Sequence, residues 1–253
     1  MTPLPDAFLR RPIAHRALHG AHGPENSLAA VRAAVAAGYG IEIDVQPSAD
    51  EVAMVFHDYD LDRLTETTGP VRIHSATWLE SVRLKASADG IPSLWRVLEL
   101  VAGQVPVLIE IKDQDGAMGP NVGALEHGVF RALEGYRGPV AVMSFNPHSV
   151  AEMAKLAPRV PRGLTTYAWA DAEARILPEE YRAHLAAIAD FDRVGASFIS
   201  HDRRDLASRH VAALKARGVP ILCWTVRSPE QESQAREIAD NITFEGYAAP
   251  FPA

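Results

Sequence analysis

The tightest constraint on this chain is an alternation, kept up from end to end, of short Val-, Ile- and Leu-rich runs with longer Ala-rich stretches at helical spacing. "PIAHR" precedes "SLAAVRAAVAAG", "VPVLIEIK" precedes "GALEHGVFRALEGY", and "VAVMSF" precedes "PHSVAEMAKLAP". "RGLTTY", "ASFISH" and "VPILCWTV" are followed by "EEYRAHLAAIADF", "SRHVAALKARG" and "PEQESQAREIAD", and "NITFEG" comes last. Strands that return to one sheet through helices run parallel, so the pattern predicts a parallel α/β sheet. With "IEIDV" included, candidate strands begin at Pro12, Ile41, Val105, Val140, Arg162, Ser197, Ile221 and Asn241. Eight such units predict a (β/α)8 TIM barrel, and 253 residues is close to the ~250 usual for one, so a single domain is expected over 1–253.

A ninth β-like run, "VAMVFHD" at 52–58, follows "IEIDVQP" too soon for a crossover helix, which makes it a hairpin partner of the second strand. A turn centred on Ala49 and Asp50 sets Val45 beside Met54, Asp44 beside Val55 and Glu42 opposite His57. Residues 58–92 carry turn signals and little periodicity, and predict a small insertion after the second strand, a cap or loop over the barrel mouth.

Charge narrows the partners. The 25 basic and 32 acidic side chains give a formal net charge of −7, so no broad basic field exists to hold nucleic acid or anionic lipid, and an anionic substrate must be held locally. Cys223 is the single cysteine, so intrachain disulfides are excluded and a reducing compartment is the simpler reading. The first residues lack the apolar core of a secretory signal, and charged residues such as Arg32, Glu99 and Glu110 interrupt every apolar run before the ~20 residues of a membrane helix. A cytoplasmic protein with no stable membrane insertion is expected.

In "IEIDV", Glu42 and Asp44 stand two apart on a strand and point to one side, with Ile41, Ile43 and Val45 on the other. In "VLIEIK", Glu110 and Lys112 share a face that Leu108 continues deeper into the barrel. Three carboxylates aimed into one barrel mouth repel one another unless a cation sits among them or one stays protonated. An all-oxygen ligand set favours Mg²⁺ or Ca²⁺ over zinc; the bland alternative is paired surface charges at strand ends. His15 ends the first strand and His57 the hairpin, at the face where barrel enzymes keep their chemistry, and two imidazoles can serve as general base and general acid. Singly, each is more often a structural histidine.

Arg16 offers a planar fork to phosphate oxygens and Lys112 a compact cation. Glu25 and Asn26 fall at the entry to the first Ala-rich helix, where capping is the first reading, and a helix N-terminus there also favours a phosphate. Trp224 can wall a pocket or fill core, and Ser144, Phe145 and Asn146 are similar. His19 and His22 suggest zinc with His15, yet no cysteine or matched downstream histidine pair completes such a set.

"AHR", "PENS", "IEIDVQPSAD", "VFHDYDLDRLTETTG", "IPSL", "LIEIK" and "CWTV" occur in that order between 14 and 226, and on them the chain resembles the glycerophosphodiester phosphodiesterase family. The resemblance implies a (β/α)8 barrel with a small insertion, a divalent metal, and hydrolysis of small-molecule glycerophosphodiesters to glycerol phosphate and an alcohol. Carried over by motif, it makes His15 and His57 catalytic, Glu42, Asp44 and Glu110 metal ligands, and Arg16 and Lys112 phosphate contacts, with Glu25 as the glutamate of "PEN". Three departures bear on substrate choice: Ala17 stands where the family usually has Gly and opens a longer "ALHGAHG" loop, the usual late "TD" becomes "TFEGYAAP", and the polar residue often seen after "WTV" is Arg227. Other readings are a silent module that binds phosphorylated glycerol compounds, and a lysophospholipid phosphodiesterase in which Trp78 and Leu79 line an acyl entry.

Overall fold

The computed structural model describes residues 2–252. Nine strands form one sheet: β1 Ile13–Ala14, β2 Gly40–Pro47, β3 Ala53–Val55, β4 Val107–Ile111, β5 Val140–Ser144, β6 Arg162–Thr166, β7 Phe198–Asp202, β8 Ile221–Val226 and β9 Asn241–Phe244. All neighbours except β2 and β3 run parallel, and β1 pairs with both β9 and β2, which closes eight strands into a barrel. The helices are α1 Ala7–Arg10, α2 Leu28–Ala37, α3 Ala76–Ser81, α4 Leu94–Val101, α5 Ala124–Leu133, α6 Pro147–Leu156, α7 Glu179–Ala186, α8 Arg209–Ala216 and α9 Pro229–Ala235. Among the described residues no helix is long and apolar enough to cross a membrane.

Local chemistry sets the helix starts. Ser27, Ser208 and Ser228 accept hydrogen bonds from Ala30, Val211 and Gln231, capping α2, α8 and α9, and Asn146 caps α6 ahead of Pro147. Helix α4 lies in a stretch to which the sequence pattern assigned no element, although Leu94, Val97, Leu98 and Val101 recur at helical spacing and are all buried. It is the second helix of the barrel, displaced past residues 58–92.

Those residues carry α3, a short 3-10 turn at Val71–Ile73 and a small core of their own, built by Leu61, Leu79, Leu84 and Ile91 against Met54 and Phe56. Leu79 is fully buried there, so it offers no surface to line an acyl entry, and Trp78 stacks on His74 at 3.8 Å.

The hairpin is real but its register differs by one from the expected one: Val45 pairs with Val55, Gln46 with Met54 and Pro47 with Ala53. The cause is an odd-numbered loop over 48–52, in which Glu51 takes a left-handed conformation at φ 57 and closes a turn onto Ser48. Continued in that register, His57 would face away from the carboxylates. Instead β3 ends at Val55, the chain bends, and Gln46 Nε2 holds the His57 carbonyl at 3.1 Å.

The floor of the barrel is apolar, with Leu108, Ala141, Met143, Phe198 and Leu222 packed against Leu4, Phe8 and Ile13. The Phe198 ring lies over Gly163 so closely that a Cβ there would come within 2.4 Å of it. Gly163→Ala should therefore destabilise the protein by about 1–3 kcal/mol through overpacking, which calorimetry would read as a Tm several degrees lower.

Candidate active site

The barrel's parallel register brings the acidic residues together. Asp44 and Glu110 are Cα partners across β2 and β4, and Glu42 lies one inward-facing position below Asp44. One carboxylate oxygen from each lies within 4.8 Å of the others, and all three residues are buried. Lys112 Nζ bonds Asp44 Oδ1 at 2.8 Å and also reaches Glu110. Asn26 Nδ2 donates to Asp44 Oδ2 at 2.9 Å, and the Arg16 backbone N–H donates to Glu42 Oε2 at the same distance.

This leaves the charge unevenly compensated. Burial would raise Asp44, but Lys112, His57 and Arg16 hold it far below the usual carboxylate range. Glu42 is pushed well above that range by burial first, then by the charges of Asp44 and Glu110. Three buried oxygen donors with one uncompensated acid make a set that fits a hard divalent cation.

Both sequence-predicted histidines face this cluster. His15 follows β1, its N–H bonded to the Phe244 carbonyl at 2.8 Å, and its Nε2 lies 4.0 Å from Glu42 Oε2. His15 Nδ1 meets Glu245 Oε2 at 2.5 Å, and His57 Nδ1 meets Asp58 Oδ1 at 2.7 Å. Each ring thus has its Nδ1 on a carboxylate, which leaves Nε2 for proton exchange. Burial lowers the His15 pKa below its ordinary value despite Glu245. The bond from His15, at 2.5 Å, is the main reason Glu245 is held far below its own range.

The turn after β1 is shaped for these contacts. Arg16 and Ala17 adopt left-handed φ of 51 and 64, a conformation that ordinarily favours Gly. Ala17 N–H then bonds the Glu42 carbonyl at 2.9 Å. Each polar residue of "PENS" has a separate task. Glu25 receives Arg16 Nη1 at 2.7 Å and both terminal nitrogens of Arg63; Asn26 bonds Asp44; Ser27 alone caps α2. The capping first read for Glu25 and Asn26 belongs to Ser27.

Arg63 also binds Asp58 at 2.6 Å, so a continuous chain of charged contacts runs His57, Asp58, Arg63, Glu25, Arg16 around the rim. Asp58, Arg63 and Glu245 are members that the sequence reading did not single out. Asp58 had a signal, its position directly after His57; Glu245 had none beyond its place at the end of a strand.

His15, Arg16, Glu42, Asp44, His57, Glu110, Lys112 and Trp224 all line one cavity of about 240 Å³. Glu25 is placed behind Arg16 rather than on that lining. Trp224 forms the wall with Phe145, 5.5 Å between ring centroids, and anchors its Nε1 on the Ser200 carbonyl at 3.0 Å. Ser144 and Asn146 are fully buried and serve the fold: Ser144 bonds the Ile111 carbonyl and Asn146 caps α6. A recess of about 490 Å³, lined by Tyr59, Met118 and Phe145 with Asp58, Asp60 and Asp113, adjoins the cavity and shares His57, Glu110 and Lys112 with it.

Titratable groups gathered at the C-terminal mouth of a closed parallel barrel mark the class, a (β/α)8 enzyme. Over residues 15–241 the sequence matches the glycerophosphoryl diester phosphodiesterase family. A glycerophosphodiester phosphodiesterase of Caldanaerobacter subterraneus is 32% identical over 241 residues, covering 91% of each chain. Among solved structures, an Oleispira antarctica phosphodiesterase in complex with the product sn-glycerol-3-phosphate superposes with a TM-score of 0.75 at 22% identity, covering 94% of both chains. A glycerophosphodiester phosphodiesterase of Parabacteroides distasonis gives 0.73 at 20% identity, over 92% of both. The chain belongs to the glycerophosphoryl diester phosphodiesterase family.

Proposed function

We propose that the cavity hydrolyses glycerophosphodiesters to glycerol 3-phosphate and an alcohol, with His15 and His57 as the proton-transfer pair and Glu42, Asp44 and Glu110 as holders of one divalent cation, Mg²⁺ or Ca²⁺. The observation that carries this reading is that two imidazoles, each oriented by a carboxylate on Nδ1, line the same 240 Å³ cavity as three buried carboxylates. The bound cation would supply charge stabilisation for the phosphoryl oxygens.

The chain's own residues do the rest. Arg16, steadied by Glu25, and Lys112, steadied by Asp44 and Glu110, present positive charge to the phosphate. One imidazole Nε2 takes the proton of the attacking oxygen, water or the glycerol 2-hydroxyl, and the other protonates the departing alkoxide. Phe145 and Trp224 give the organic part an apolar wall that excludes water, and the adjoining recess has room for the alcohol. A positively charged alcohol suits that recess, where Asp58, Asp60, Asp62, Glu110 and Asp113 outnumber Arg63 and Lys112.

Release of glycerol 3-phosphate from glycerophosphocholine, present with added Mg²⁺ or Ca²⁺ and abolished by chelator, tests the proposal. Binding without turnover would replace it with a silent binding module. Comparing rates on acylated and deacylated substrates tests the lysophospholipid alternative.

Glu245 is a positioning residue in this scheme, since it touches His15 Nδ1 and stands behind the ring. In Glu245→Gln an amide replaces the acceptor that holds the tautomer. Carboxylates that orient metal-bound histidines are worth 10–100-fold in activity, and a loss of about that size is expected for Glu245. Steady-state kinetics should show that loss in kcat with KM little changed; an equal loss through KM would mean that Glu245 contacts substrate instead.

A further inference from the structure

The loop "ALHGAHG" departs from the family pattern and takes no part in the reaction scheme, yet it delivers one side chain to the back of His15. His19 Nε2 lies 3.6 Å from Glu245 Oε2, the same oxygen that meets His15 Nδ1 at 2.5 Å. The three ligand atoms fall within 4.8 Å of one another. His19 Nε2 is shut off from solvent and makes no hydrogen bond. Arg227 Nε binds the other oxygen of Glu245 at 2.6 Å, which turns Oε2 toward both rings. The three side chains are part exposed, at 15% for His15, 26% for His19 and 19% for Glu245.

We propose that His15 Nδ1, His19 Nε2 and Glu245 Oε2 form a second cation site, separate from the carboxylate cluster and selective for a nitrogen-preferring ion of the Zn²⁺ class. Two imidazoles and one carboxylate are ligands that zinc accepts, and hard ions such as Mg²⁺ or Ca²⁺ do not favour them. Zinc–ligand bonds of about 2.0–2.2 Å in a tetrahedron hold ligand atoms roughly 3.3 Å apart. The His19 to Glu245 spacing, 3.6 Å, is within a few tenths of an ångström of this. The His15 to Glu245 spacing opens when the ion takes the place of the proton on Nδ1, which passes to solvent.

The consequence rests on the function proposed above. A ring whose Nδ1 is ligated carries its proton on Nε2 and has no free nitrogen to accept another, so His15 drops out of proton transfer. Zn²⁺ bound there inhibits the enzyme without entering the substrate cavity.

The test uses the intact protein in excess Mg²⁺, titrated with Zn²⁺ by calorimetry, beside the His19→Ala variant. The expected result is a zinc equivalent that excess Mg²⁺ does not displace, bound at least about tenfold more weakly by the variant; even outer-shell partners of a metal are worth 10–100-fold in affinity. The variant should keep wild-type turnover in Mg²⁺ and need at least tenfold more Zn²⁺ for half inhibition. Equal zinc affinity in the two proteins, or zinc fully displaced by Mg²⁺, overturns the site. If turnover of glycerophosphodiesters is absent, the binding measurement still decides the site independently. Inhibition equally strong in His19→Ala, alongside weakened zinc binding, would separate the site from any control of activity.

Discussion

Replacing His57 or His15 by Ala is expected to lower kcat on glycerophosphocholine by 10²–10⁴-fold, the range associated with positioned general acid–base catalysis. Neither change should unfold the protein, because both rings sit at the cavity surface and their carboxylate partners keep other contacts: Asp58 with Arg63, and Glu245 with Arg227. Each variant should also lose one limb of the pH dependence of kcat/KM. Burial lowers the His15 pKa, so the limb that vanishes in His15→Ala lies below the ordinary imidazole value of about 6.5. A limb in which rate falls as pH drops makes His15 the base, and one in which rate falls as pH rises makes it the acid. Near-normal turnover in both variants would falsify the proton-transfer pair.

Glu42→Gln should act on the cation. The substitution keeps the shape of the side chain and removes the one carboxylate of the cluster that bonds no Lys or Arg side chain. Charge stabilisation by a catalytic metal amounts to several kcal/mol, so kcat/KM should fall at least about 10²-fold and higher cation concentrations should be needed for what remains. Stability should move the other way: without cation, Glu42→Gln should be as stable as wild type or more so, because a buried acid among like charges has been removed.

The pH dependence of cation binding follows from the same residue. Burial and its neighbours raise the Glu42 pKa, so at any pH below that raised value ligation must expel a proton from it. Apparent affinity should therefore climb by about tenfold per pH unit until the pH passes that raised value, then level off. Calorimetry in buffers of different ionisation enthalpy would count the released proton. No proton release, or an affinity flat with pH, would place the cation elsewhere.

Much of this site can be read along the chain, for local reasons. Glu42 and Asp44 share a face because a strand's side chains alternate, and the same rule pairs Glu110 with Lys112 above Leu108. Helix α4 is equally legible from the spacing of Leu94, Val97, Leu98 and Val101, although it follows directly on a turn-rich stretch with little periodicity. The hairpin register was not readable. It turns on one left-handed residue, Glu51, which carries no Gly or Asn signal.

What the sequence determined by itself is everything that follows from short periodicities: eight parallel strands with their helices, the hairpin, and the inward faces of β2 and β4. What only the tertiary structure decided are the partners of those residues. Glu245 lies 230 positions from His15 and reaches it because β1 pairs with β9 when the barrel closes. Arg63 joins Asp58 to Glu25 across 38 positions because the chain after β3 folds back over the mouth. Alternation along a strand is set by backbone geometry within a few residues, whereas charge pairing across a barrel depends on closure, and closure is settled by the burial of the whole core rather than by any one segment.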